Sequence, residues 1–251
     1  GNIFRLFFTS GRICQSRLIK CGSYYRIYSA VVTNEGSLVV YSDDFGRTWI
    51  PLGGADVRPA PQGDEAKIEE LPDGRVLLSC RRSGKDGRWF NIFTYTDRQY
   101  LSGSWAEPVA SESPDGGTAT INNNCNGEIL LVPAQSTNGN RVYVALQSVP
   151  RGAPGNHPTN LERRSHVSIY WKAFDTPDSW STPDKWVDGW QRHEITDGYS
   201  AYSSMALDGN GDICFIYEDN GVHFRLGSQP TEMYDILYRH LTLLDITGGK
   251  Y

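Results

Sequence analysis

No run of eighteen or more apolar residues occurs in the 251-residue sequence, which excludes a helical membrane span. Methionine is scarce (2) and long Ala/Leu/Glu/Lys periodic stretches are missing, whereas Gly (26), Tyr (14) and Trp (7) are plentiful. That balance favours strands and turns over helices. An excess of basic residues is lacking as well. Lys and Arg number 24 against 29 Asp and Glu, a formal net charge of −5, which argues against a nucleic-acid partner needing a basic face. No CxxC pair or Cys/His cluster is present, and no His pair has ligand spacing, so neither a zinc site nor a cofactor is expected. The five cysteines (Cys14, Cys21, Cys80, Cys125, Cys214) are odd in number and widely spaced, which predicts buried free thiols rather than a disulfide framework. The sequence opens on "GNIFRLFF" without a Met or a leader. It therefore reads as a mature or truncated product whose ends do not announce its compartment.

Strand-like runs are present throughout: "SYYRIYSAVVT", "SLVVYS", "RVLLSCR", "FNIFTYT", "GEILLVPAQS", "RVYVALQSV", "HVSIYWKAF", "SAYSSMAL", "DICFIYED" and "YDILYRHLTLLDI". Between them lie "PDGR", "CNGE", "TNGNR" and "DGNGD", hairpin signals because Gly and Asn accept positive φ. "TPDSWSTPDKW" predicts a short helical turn, and residues 150–165 ("PRGAPGNHPTNLERRS") a surface loop. Evenly spaced hairpins of this kind predict a sandwich, a barrel or a propeller.

One stretch, "YSDDFGRTW" (residues 41–49), invites a metal reading. A calcium loop needs oxygen ligands at alternate positions and a closing Glu twelve residues along, and "DDFGRTWIPLGG" lacks them. Asp44 instead reads as a turn residue whose carboxylate accepts nearby backbone N–H groups. Gly46 supplies the turn geometry, and Trp49 covers the hairpin.

Ser42, Asp44, Gly46, Thr48 and Trp49 match the pattern Ser-x-Asp-x-Gly-x-Thr-Trp and resemble the Asp box that decorates hairpins of sialidases and other β-propellers. Residues 95–105 ("YTDRQYLSGSW") and 173–180 ("AFDTPDSW") look like degenerate copies. Three further stretches resemble bacterial exo-sialidases (neuraminidases) specifically: "EAKIEELPDGRVLLSCR", "RSHVSIYWK", and "SAYSSM" followed by "FIYED". The resemblance implies an all-β, six-bladed propeller of which residues 1–251 hold about the last four blades. It also implies terminal sialic acid on glycans as the substrate, and a secreted, periplasmic or cell-surface location. "FRLF" lacks the Pro of the family's first Arg segment, so Arg5 reads as a strand residue. The first Arg and the acid/base Asp are expected upstream.

The resemblance further implies roles for single residues. Tyr202 stands at the nucleophile's position and Glu65 at that of its base. Arg81 and Arg164 stand where guanidinium groups anchor the substrate carboxylate, and Glu218 where a carboxylate orients the first Arg. The chemistry explains these types. Sialic acid carries a carboxylate on its anomeric carbon, and a carboxylate nucleophile would meet it at about 4 Å with roughly 4 kcal/mol of repulsion. Tyr avoids that cost, and sialidases with a Tyr nucleophile are a known exception to the two-carboxylate rule. By themselves the residues leave Arg81 against Arg82 and Arg163 against Arg164 open; family register selects Arg81 and Arg164. Alternation places Glu65 and Glu69 on one face, and Glu69 and Glu70 read as surface acids. Tyr170 and Trp171 read as core or a sugar platform. A non-catalytic sialic-acid-binding or scaffold propeller and a trans-sialidase are the competing expectations.

Overall fold

A computed structural model describes residues 6–9, 11–119, 125–153, 155, 159–226 and 229–251; Arg5 lies outside them. The chain is all-β. Among the described residues it forms four antiparallel sheets, as the four-blade expectation requires. It divides into two compact units: Gly1–Ser83, Arg88–Ser111 and Thr176–Asp188 in one, and Gly84–Gly87, Glu112–Asp175 and Gly189–Tyr251 in the other.

The first unit holds two sheets. One contains β1 (Leu6–Phe8), β2 (Cys14–Cys21), β3 (Tyr24–Thr33), β4 (Gly36–Ser42), β5 (Ile50–Pro51) and β6 (Ala60–Pro61). The other contains β7 (Gly63–Glu70), β8 (Val76–Arg82), β9 (Arg88–Tyr95), β10 (Gly103–Trp105) and β11 (Val109–Ser111). β-branched and aromatic residues recur at alternate positions, so Tyr28, Val39, Ile68, Val76, Leu78 and Phe93 meet in one core. Residues 176–188 complete this unit. Their two 3₁₀ turns bring the fully buried Trp186 to 6.2 Å from the Phe90 ring.

The second unit holds a four-stranded meander of β12 (Ile129–Gln135), β13 (Arg141–Pro150), β14 (Val167–Phe174) and β15 (Gln191–Glu194), with α1 (Asn160–Arg163) between β13 and β14. Its second sheet is β16 (Ser203–Leu207), β17 (Ile213–Leu226) and β18 (Gln229–Leu241), followed by α2 (Leu243–Thr247). Val144, Leu146, Ile169, Trp171, Met205, Phe215, Tyr217 and Ile246 form the core. Tyr170 is buried too. No helix is long and apolar enough to cross a membrane.

Several expectations are corrected. "CNGE" is not a hairpin turn; it is buried, and Glu128 exchanges hydrogen bonds with Ser148 beside β13. The strand expected through residue 246 stops at Leu241. Thr242 and Asp245 form a reciprocal cap that starts α2. The loop of residues 150–165 contains α1. Glu69 and Glu70 are buried rather than surface acids. Arg12 and Arg17 pair with Glu69 at 2.6 and 2.8 Å, and Ser16 donates to Glu70 at 2.5 Å. Burial pushes the Glu70 carboxyl above its usual range, and the Ser16 and Arg17 donors only partly offset this. All five cysteines are free thiols; Cys14, Cys80 and Cys125 are buried and Cys21 and Cys214 half-buried.

Candidate active site

In the first unit, Glu65 and Arg81 meet. The β7–β8 register slips between Gly63 and Ala66, placing Glu65 at the irregularity. There Arg81, near the end of β8, donates through Nη1 to Glu65 Oε2 at 2.6 Å. Glu65 is only 7% exposed, so its carboxylate is held by a charge-assisted contact largely out of water. Glu69, further along β7, pairs instead with Arg12 and Arg17. Neighbouring Arg82 points elsewhere, its guanidinium lying 4.7 Å from the Trp89 ring centre.

In the second unit, Arg164, Tyr202 and Glu218 meet. Tyr202 lies just ahead of β16 and not within it, which differs from the strand expected over "SAYSSMAL". Its backbone N–H donates to Glu218 Oε2 at 3.0 Å, and its carbonyl accepts from Glu218 N–H at 2.9 Å. One residue of β17 thus fixes the nucleophile candidate through both main chain and side chain. Arg164 leaves α1 directly onto this strand end. Its carbonyl accepts from Ser200 N–H at 3.0 Å, and its guanidinium carbon stands 5.4 Å from the Tyr202 ring centre, within cation–π range. The two clusters belong to different compact units.

The opening motif forms a closed turn. Asp44 Oδ1 accepts from Thr48 N–H and Ser42 Oγ–H, both at 2.8 Å, and Oδ2 accepts from Thr48 Oγ1–H at 2.7 Å. Gly46, at φ 86°, gives its N–H to Ser42 Oγ. The Thr48 donors hold the Asp44 carboxyl at about 2. Of the two degenerate copies, Asp97 repeats the device, accepting N–H groups from Gln99, Leu101 and Ser102. Beside the motif, Asp43 takes both Nε and Nη2 of the fully buried Arg26 at 2.7 Å. Burial alone would raise the Asp43 carboxyl, but Arg26 outweighs it and holds the group below its usual range.

Sequence reading missed two groupings. Asp208, Asp212 and His240 converge where the β16–β17 turn meets β18, with His240 Nε2 at 3.0 Å from Asp208 Oδ2 and 3.8 Å from Asp212 Oδ2. These are metal-capable side chains, here linked to one another. The second is Tyr234, whose hydroxyl donates to Glu232 Oε2 at 3.1 Å. In sequence, both looked like ordinary strand and turn residues.

No family model matches the sequence, and no curated protein matches it. Solved structures do. The intramolecular trans-sialidase from Ruminococcus gnavus superposes with a TM-score of 0.66 at 18% identity, over 97% of this chain and 45% of its own. The leech intramolecular trans-sialidase gives 0.63 at 16% identity, over 98% and 33%. The NanB sialidase from Streptococcus pneumoniae gives 0.61 at 18% identity, over 96% and 32%. The chain therefore has the fold found in sialidases and trans-sialidases, and it spans less than half the length of each of these proteins.

Proposed function

We propose that the protein is a retaining exo-sialidase acting on terminal α-linked sialic acid of glycoproteins, glycolipids or oligosaccharides. The observation that carries this reading is the cluster in which Glu218 fixes the Tyr202 backbone while Arg164 stands 5.4 Å from the Tyr202 ring centre. Arg81 and Arg164 anchor the substrate carboxylate, since a planar guanidinium grips it through two parallel bonds. The Tyr202 oxygen attacks the anomeric carbon as its proton passes to Glu65. The glycosidic C–O bond breaks, and the departing oxygen takes a proton from a general acid expected upstream. Water then attacks the same carbon, gives its proton to the acid's conjugate base and releases sialic acid. Tyr202 leaves as the phenolate and recovers its proton from Glu65. The positive charge beside the ring favours the negative charge that develops on the phenolic oxygen. Activity on glycans fits a secreted, periplasmic or cell-surface protein.

A 3-fluorinated sialosyl fluoride tests this directly. Its fluoride needs little protonation to leave, so the experiment isolates the nucleophile from the general acid. Mass spectrometry of the 251-residue chain is expected to find a sialosyl adduct on Tyr202, absent in Y202F. An adduct on any other residue overturns the assignment. The two trans-sialidases among the matched structures support a second reading, intramolecular transfer from the same covalent intermediate. Product analysis of a sialoside digest separates the two, since hydrolysis yields free sialic acid and transfer yields an anhydro-sugar.

A further inference from the structure

In the first unit, a cavity of about 470 Å³ opens between two turns: Asp73, Gly74 and Arg75 of the β7–β8 hairpin, and Asp97, Arg98 and Tyr100 of the turn after β9. Thr94 and Tyr95 complete its lining. Glu65 and Arg81 lie at the other end of the same hairpin. At about 3.3 Å per residue, the cavity is roughly 20 Å from them along the strands. Gly74 takes φ 87°, and a Cβ on it would stand 3.3 Å from Tyr100 Cε1, so the Tyr100 ring packs against this turn. Tyr100 itself has a left-handed φ of 58°, uncommon for an aromatic residue. The fully buried Arg26 holds it there, donating through Nη1 to the Tyr100 carbonyl at 2.6 Å. The Tyr95 and Tyr100 rings meet edge to face at 5.3 Å and give the cavity an aromatic wall.

The polar groups of this lining divide unevenly. Both carboxylates are engaged. Asp97 accepts the N–H groups of Gln99, Leu101 and Ser102, and Asp73 accepts the Arg75 N–H and the Trp180 Nε1–H. The donors are largely unspent. Arg98 is exposed and has no hydrogen bond or ion pair among the described residues. Arg75 gives Nη1 to the Ser181 carbonyl at 2.8 Å and sets Nε 3.5 Å from Asp73 Oδ2, which leaves Nη2. The Thr94 and Tyr100 hydroxyls have no hydrogen-bond partner among the described residues either. Donors facing a cavity whose acceptors are already engaged call for a ligand rich in acceptors, and guanidinium forks suit an oxyanion. The volume lies in the range of small-molecule sites and exceeds what a free oxyanion fills. The aromatic wall suits the apolar face of a pyranose ring.

We propose that this cavity is an accessory site for an anionic sugar, a pyranose carrying a sulfate or carboxylate group, with Arg98 and Arg75 on the oxyanion and Tyr100 against the ring. The choice of a sugar rests on the glycan reading above, while the site shares no residue with the two clusters that carry that reading. Its test is NMR titration of the whole chain with galactose 6-sulfate, glucuronic acid, galactose and sodium sulfate, following the Gly74, Thr94 and Gln99 amides. At least one of the two anionic sugars is expected to shift these amides saturably and to bind about tenfold or more tightly than galactose or sodium sulfate, as for a hydrogen bond to a charged group. Which of the two binds identifies the oxyanion. R98A is expected to lose most of that advantage and R98K to retain part of it, with Tyr202 labelling by the fluorinated sialoside unchanged in both. No shift with either anionic sugar overturns the site, as does galactose or sodium sulfate binding equally well, or R98A binding as tightly as wild type. Each of these results leaves the sialidase reading standing. A fall in Tyr202 labelling in R98A overturns the accessory assignment. Sugar binding at these amides in a wild-type chain that does not label at Tyr202 overturns the sialidase reading alone.

Discussion

At the residue scale, Asp44 shows how a conspicuous motif serves architecture. Its carboxylate satisfies three donors of one turn, and those bonds favour the ionised form. A depressed pKa means the contribution is present above the unfolded value of about 3.9 and is lost as pH falls through about 2. D44N is therefore expected to melt below wild type at neutral pH, with the gap closing between about pH 4 and pH 2. Parallel melting curves across that range would count against the role. The motif was legible because every residue in it has a local job. Glu65 and Arg81 were legible only through resemblance, because the strand irregularity that turns Glu65 toward Arg81 leaves no periodic trace. Arg26 was not legible at all. A single Arg in "SYYRIYS" does not reveal that Asp43, Tyr95 and the Tyr100 carbonyl will absorb its donors.

At the scale of elements, the β16–β17 turn is tied to β18 by His240 and Asp208. The hydrogen bond to Asp208 raises the His240 pKa above its ordinary value, with the charges of Asp212 and Asp208 adding to it. A raised pKa stabilises below the unfolded value of about 6.5, and that contribution disappears as pH climbs through the folded value. NMR titration is expected to place His240 above free histidine and D208N to return it toward that value; an unchanged midpoint in D208N would sink the coupling. Most strand cores were legible because alternation in "RVYVALQSV" or "HVSIYWKAF" is a local signal. Element ends were less so. The Thr242–Asp245 cap is a short signature at the end of an apolar strand run, and the tertiary bonds that hold Tyr202 outside β16 come from Glu218, a strand away.

At the scale of the whole molecule, the sheets were foreseeable from hairpin spacing, whereas the division into units was not. The assignment of residues 176–188 depends on contacts far away in sequence. Trp180 Nε1 approaches Asp73 Oδ2 at 3.4 Å, Ser111 Oγ donates to the Val187 carbonyl at 2.6 Å, and Trp186 fills the space beside Phe90. W186A is expected to destabilise the first unit by roughly 3–5 kcal/mol, the usual cost of emptying a buried aromatic site. Denaturant titration measures it, and a loss under about 1 kcal/mol would show that the segment is dispensable.

That late-arriving segment also sets a clock on synthesis. The first unit has nearly all its strands once Ser111 has left the ribosome, yet its last piece ends at Asp188. At about 5–20 residues per second the nascent chain waits roughly 4–15 s for it. During that interval the face around Phe90 lacks its tryptophan lid, and the second unit's meander is emerging. Slowed translation between these points would lengthen the exposure, and a chaperone that shields apolar surface would find its substrate there.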